Sequence, residues 1–198
     1  MDALYQVLDA ALPLLRRVEQ VLGDAGAPAE HKIWQELRRV RLLPVDAVEA
    51  VAALRPGALA ETVPELRAGA RACAAADLPP PGVWEGEAAE AYDDLRRRVA
   101  VHLAGAADSL DERLEETADL TAALSDWMIR ARDTVAATLA DVLVSAEALT
   151  LQTAPATPRP ETAAAAIAAH VLRTIADLYA EAEELMQNST HLTHAVPV

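Results

Sequence analysis

The residues of this chain whose types could do chemistry are five histidines, one cysteine and several doubled acids. Metal ligation or acid–base catalysis needs such groups convergent, at spacings such as His-Glu-x-x-His or Cys-x-x-Cys. Neither pattern occurs, and neither does a glycine-rich phosphate loop. His31, His102 and His170 fall in helical stretches with no carboxylate at ligand spacing, while His191 and His194 are close together in a polar tail that nothing fixes. Asp93-Asp94 has the look of an acidic metal motif. Arg96-Arg97-Arg98 follows at once, however, and no second acidic cluster has the matching form. Glu115-Glu116 and Glu183-Glu184 read as solvated helix faces. Cys73 is alone, so an intrachain disulfide is impossible, and its surroundings read as those of a small buried hydrophobe. The residues therefore predict a protein that is not an enzyme and carries no cofactor and no metal. A carboxylate pair assembled from distant helices would be invisible to spacing.

Alanine sets the tone of the elements: 46 of 198 residues are Ala, with no Phe, three Trp and three Tyr. Alanine is the strongest helix former and lets neighbouring backbones come close. No long alternation of β-branched or aromatic residues appears, so the chain is expected to be all-α, a thin-cored, elongated helical bundle. The formal charge of −14 argues against nucleic acid as a partner, since phosphate binding relies on a basic face. The first residues carry an acid where a signal peptide carries a base, and no run approaches about 18 uninterrupted apolar residues. The expectation is synthesis in the cytoplasm, no membrane span, and no cleaved leader.

Helical spacing of Leu4, Val7, Leu8, Ala11, Leu12, Leu15, Val18 and Leu22 predicts a first helix over 2–23, kinked at Pro13. A shorter helix, His31 to Leu42, completes an N-terminal pair over 1–43. Asp46 is the expected cap of a helix through about Leu54, stopped by Pro56-Gly57. Another follows from Leu59 to Ala76. Pro79-Pro80-Pro81-Gly82 marks a firm break, after which no proline appears until Pro155. Over that stretch a four–three spacing runs through Leu103, Leu110, Leu114, Leu124, Met128, Val135, Val142 and Leu149, the expected packing seam of one long helix. Leu120, Trp127, Leu139 and Leu143 widen it, as in a helix with more than one neighbour. The expected organisation is thus an N-terminal pair (1–43), a helical hairpin with a long second helix (44–151), a Pro-rich linker (152–160), and a final helix with a frayed tail (161–198).

The segment with most information is Pro79-Pro-Pro-Gly-Val-Trp84-Glu-Gly86-Glu-Ala-Ala-Glu-Ala-Tyr92. The prolines end the incoming helix, Gly86 permits a tight turn, and Glu85 and Glu87 suit the positive end of the outgoing helix. Trp84 is placed to lay its indole over the gap between the two arms. This segment resembles the WXG-motif proteins, the helical-hairpin substrates of type VII (ESX) secretion systems, over roughly residues 45–150. Trp84-Glu85-Gly86 matches the name motif, and Ala88-Ala89-Glu90-Ala91-Tyr92 is similar to the small-residue and aromatic pattern that follows it.

The resemblance implies a helix–turn–helix hairpin that pairs with itself or a sibling hairpin protein, engages the secretion ATPase, and is exported without a cleaved signal. It also implies an export signal after the hairpin, a Tyr followed four residues later by an acid. Tyr179 and Glu183 fit that pattern on the last helix, one turn apart on one face. Tyr5 and Asp9 match as well, in the wrong place. The chain departs from the family in its double length, its extra N-terminal helices, and the prolines that break its incoming arm. Its extra helices could occupy the place of a partner hairpin. The alternative expectation is a cytoplasmic helical adaptor or chaperone-like protein that is never exported.

Overall fold

The computed structural model describes residues 3–152 and 159–193; it is all-α, with no strand among the described residues. Most of the expected linker (153–158) and the end of the tail (194–198) lie outside the described residues. The helices are α1 (Ala3–Ala25), α2 (Ile33–Val40), α3 (Pro44–Ala52), α4 (Pro56–Ala60), α5 (Val63–Ala74), α6 (Glu87–Leu103), α7 (Leu110–Leu143), α8 (Ala146–Gln152) and α9 (Pro160–Asn188), followed by a short 3₁₀ turn, Thr190–Thr193.

The chain divides into two compact units. The first comprises residues up to 55 and 126–184; the second comprises 56–125 and the residues from 185 onward. One division falls between α3 and α4, at the Pro56-Gly57 stop, and the other two fall inside α7 and α9. A division inside a helix leaves no mark on its spacing, because a helix that changes neighbours partway keeps an unbroken apolar pattern.

The first unit is organised on α1, whose face Leu4, Leu8, Ala11, Leu15 and Val18 is buried against α3 and α8. Pro13 lies inside α1 without ending it. Asp46 is not the cap of α3. Leu43 is the N-cap and Pro44 opens the first turn, and the free Val45 N–H donates 2.8 Å to Glu19 Oε1 from α1. Along α9, Ala164, Ile167, Ala168, Val171, Leu172 and Ile175 are buried. α9 is long and apolar enough to cross a membrane by length and composition, yet 61% of that apolar window is buried inside the protein.

In the second unit α5 lies close to α7. A side chain at Gly69 would stand 3.5 Å from Leu114, and Arg67 pairs with Asp119 at 2.9 Å. Pro64 sits in the first turn of α5, where its missing N–H costs no helical bond. Cys73 is only half-buried, since α5 sinks little more than Ala70.

The expected single helix through Leu103 and Leu149 is corrected in two places. At Ala104–Ser109 the chain leaves the helix, with Gly105 at φ +86° and Asp108 at φ +63°. A helix start follows: Ser109 precedes the first turn, and Glu112 turns back to accept the Asp108 N–H at 2.9 Å, a variant of the capping box. At Ser145 the hydroxyl accepts the Ala148 N–H at 3.1 Å and starts α8, bent 59° from α7. The seam changes accordingly. Val135 and Val142 are buried, Leu103, Leu114, Leu124 and Met128 are half-buried, and Leu110 and Leu149 are exposed. The helices turn aside where the pattern would have carried Leu110 and Leu149 inward. Ala118, Ser125, Arg132 and Leu139 form a buried row beside the expected one.

Candidate functional site

The Trp84 segment is built from three local devices. Past the prolines, the chain turns at Gly82, and the Trp84 N–H reaches Pro81 O at 3.3 Å. Gly86 then adopts φ +96°, a conformation side chains resist, and its carbonyl accepts the Ala89 N–H (2.9 Å) and the Glu90 N–H (3.1 Å) to start α6. Glu87 and Glu90 lie in the first turn, where the positive end of the helix favours them. From α6, Tyr92 and Arg96, one turn apart, reach back to the loop: Tyr92 Oη donates to Pro79 O at 2.9 Å and Arg96 Nη1 to Leu78 O at 3.4 Å.

Trp84 itself does not close the gap between two arms. Its ring lies 5.8 Å from that of Tyr92, tilted by 45°, and the residue remains 51% exposed. The loop is long enough to leave the indole on its own outgoing helix. Beneath it opens a cleft of about 520 Å³ lined by Pro81, Trp84, Glu85, Ala89, Glu90 and Asp93 among others. Asp93 accepts from Arg96 at 2.8 Å and pairs also with Arg97. The Arg96 hydrogen bond is the main cause that holds the Asp93 carboxyl below the ordinary aspartate range, partly opposed by desolvation.

Tyr179 and Glu183 stand one turn apart on α9, Tyr179 half-buried and Glu183 exposed. Burial raises the Tyr179 phenol above its usual range. The preceding residue, Leu178, accepts at its carbonyl a hydrogen bond of 2.9 Å from Trp127 Nε1. Trp127 is 5% exposed and anchors α7 to α9. The tryptophan that holds helices together is therefore Trp127, which sequence reading placed only on the flank of the seam.

Two polar clusters escaped the sequence reading. Arg132, 6% exposed, directs Nη1 at three carbonyls at the C-terminal end of α3: Val51 O (3.3 Å) and Ala52 O in its last turn and Leu54 O (3.0 Å) just past it. Its guanidinium lies 5.0 Å from the Tyr5 ring centroid, and Tyr5 Oη also donates to Ala52 O, at 3.0 Å. Glu36, equally buried, accepts from Arg39 at 2.8 Å and from Arg173 at 3.4 Å, and Arg39 continues to Asp177 at 2.6 Å. The Asp177 bond is the first cause of a raised Arg39 pKa, Glu36 the second. Both clusters tie helices together. The only advance signal for Arg132 was its spacing of seven from Ser125 and from Leu139, and an arginine on a seam is ordinarily assigned to the surface.

Among the described residues, no three His, Cys, Asp or Glu side chains are grouped to hold a metal ion. His194 lies outside the described residues, as does the side chain of His191. The second unit thus offers a half-exposed aromatic pair over an acidic cleft. The first unit, separately, offers a half-buried tyrosine one turn from an exposed acid. Comparison with family models, curated proteins and solved structures finds no match to this chain.

Proposed function

We propose that this chain is a non-enzymatic protein associated with type VII secretion, either a substrate or the pairing partner of one, acting through helix–helix packing. The observation that carries the reading is Trp84-Glu85-Gly86 in the link between α5 and α6, with Gly86 starting α6 and Trp84 half exposed on Tyr92. A surface aromatic in a turn is available for recognition, as a buried one is not. Tyr179 and Glu183 on one face of α9 support it, because a receptor could read both together. On this reading the chain is made in the cytoplasm, engages a secretion ATPase through α9, and leaves without a cleaved signal.

A second reading, a cytoplasmic helical adaptor, is favoured by one observation. The apolar faces of α1 and α9 are already buried within the first unit, so folding there needs no partner hairpin.

The test is tagged export from a host with an intact type VII system, comparing wild type, Tyr179→Phe, Glu183→Gln and a deletion of the secretion ATPase. Appearance in the medium that is lost without the ATPase, and reduced by Glu183→Gln, is the expected outcome. Retention inside every strain, with a lysis control, would end the secretion reading in favour of the adaptor.

A further inference from the structure

α6 is amphipathic on two faces, and only one of them is used within the chain. Ala89 is buried, and Asp93, Arg96, Ala100 and Leu103 beside it are half-buried. On the other side Ala88, Ala91, Leu95, Val99 and His102 follow at spacings of four or three residues, and all five are exposed. Leu95 is 52% exposed and Val99 is also open to solvent. A seam of this spacing is what one helix presents to another.

The charges on α6 say what would cover it. Before Leu95 stand Glu87, Glu90, Asp93 and Asp94; after it stand Arg96, Arg97 and Arg98. The helix is acidic in one half and basic in the other, and Leu95 is the point about which the sign reverses. A second α6 laid parallel would set like charges side by side. Laid antiparallel, with a two-fold axis at Leu95, it sets each acidic half against a basic one. At a rise of about 1.5 Å per residue, Arg98 lies three residues past the axis and the partner's Asp94 one residue past it on the same side, about 3 Å apart along the helix. Side chains lean toward their own N-terminus, so these two lean toward each other. Within the chain Asp93 and Asp94 pair with Arg96 and Arg97, whereas Arg98 makes no ion pair among the described residues.

We propose that the Ala88–His102 face of α6 binds a second copy of this chain, antiparallel and two-fold symmetric about Leu95. The contact rests on this face and its charge order alone, and holds whether or not the chain is exported. A 17-residue helix is about 25 Å long, so one such seam buries less than the ~1,200 Å² of a standard interface. The dimer is accordingly expected to be transient, dissociating in the micromolar range or weaker.

Sedimentation velocity of the full chain over a concentration series, at about 0.15 M salt, tests this directly. Wild type is expected to approach twice the chain mass at the highest concentrations. Leu95→Glu should weaken association by at least ~10-fold, because two carboxylates would meet on the axis. Arg98→Glu should weaken it also, and Arg98→Glu with Asp94→Arg should recover it. Both positions are exposed, and circular dichroism checks that each variant folds. A cysteine scan gives an independent reading. In a Cys73→Ala background, Leu95→Cys should oxidise to a covalent dimer, while Val101→Cys, equally exposed but off the stripe, should not. A chain that is monomeric at every concentration overturns the proposal, as does a dimer indifferent to Leu95→Glu or cross-linking that is equal at the two cysteines.

Discussion

Arg132→Met removes the cation that closes the end of α3 while keeping a side chain of similar reach. Nη1 has two hydrogens and faces three carbonyls, so at the end of α3 it supplies no more than two strong bonds, and the 3.3 Å contact to Val51 O is the weakest. Val51 O keeps the Leu54 N–H at 3.2 Å, and Ala52 O keeps the Tyr5 hydroxyl. The group most exposed to the loss is the half-buried Leu54 O, and leaving such a carbonyl without its partner costs up to about 1–3 kcal/mol. Loss of the cation over the Tyr5 ring adds about 0.5–2 kcal/mol. Against both stands the relief of no longer burying a guanidinium, which can reach a few kcal/mol. The balance expected is a destabilisation of about 2 kcal/mol. Tyr5→Phe alone should cost about 1 kcal/mol, and the double variant should deviate from the sum, because both groups serve Ala52 O. Urea unfolding of the four proteins, followed by far-ultraviolet dichroism and by the fluorescence of Trp127 and its fellow tryptophans, measures all of these together. An Arg132→Met protein as stable as wild type would mean that desolvation outweighs the bonds, and the account of this cluster as a helix-end clamp would fail.

The two tryptophans should separate cleanly. Trp127→Ala is expected to cost about 3–5 kcal/mol, because a buried indole and its bond to Leu178 O are lost, whereas Trp84→Ala should cost about 1 kcal/mol or less; equal losses in a melting comparison would contradict the exposure difference. The Tyr179 phenol should ionise above the usual tyrosine range in the folded protein. Its stabilising contribution is then fully present below the unfolded pKa and lost as pH rises through the folded one, which a phenolate absorbance titration of wild type against Tyr179→Phe would detect.

Helical periodicity and alanine content made the fold class legible, and the buried face of α1 follows the spacing read from residues 2–23. The long seam misled because period alone does not register a change of neighbour. Between Leu103 and Leu110, glycine and the Asp108-Ser109-Leu110-Asp111-Glu112 start signal outweighed the apolar repeat, and Ser145 did the same before Leu149. Both signals were written in the residues. The polar interior was not. Nothing local distinguishes Arg132 from Arg130, or Glu36 from Glu49; each is buried because the end of α3, or Arg39 and Arg173, happens to lie opposite it. Buried charge is a property of tertiary partners, which a single sequence names only after the fold has brought them together.

The exposure of Trp84 alters what the Trp-x-Gly pattern can mean in this chain. Had the indole been buried between two arms, its presence would follow from stability alone, as that of Trp127 does. Half exposed on Tyr92, it contributes little packing, yet the turn around it is strongly specified: Gly86 takes a backbone conformation that other residues resist, and Tyr92 and Arg96 bind the loop carbonyls at Pro79 and Leu78. A hydrogen-bonded loop that holds an aromatic toward solvent leaves its face open to contact with another molecule. Stability and recognition therefore become separable at this position. A Trp84→Ala chain that melts like wild type but fails in export or in partner capture would assign the motif to recognition. One that melts like wild type and behaves like it in every assay would leave Trp84 with no role beyond the turn it decorates.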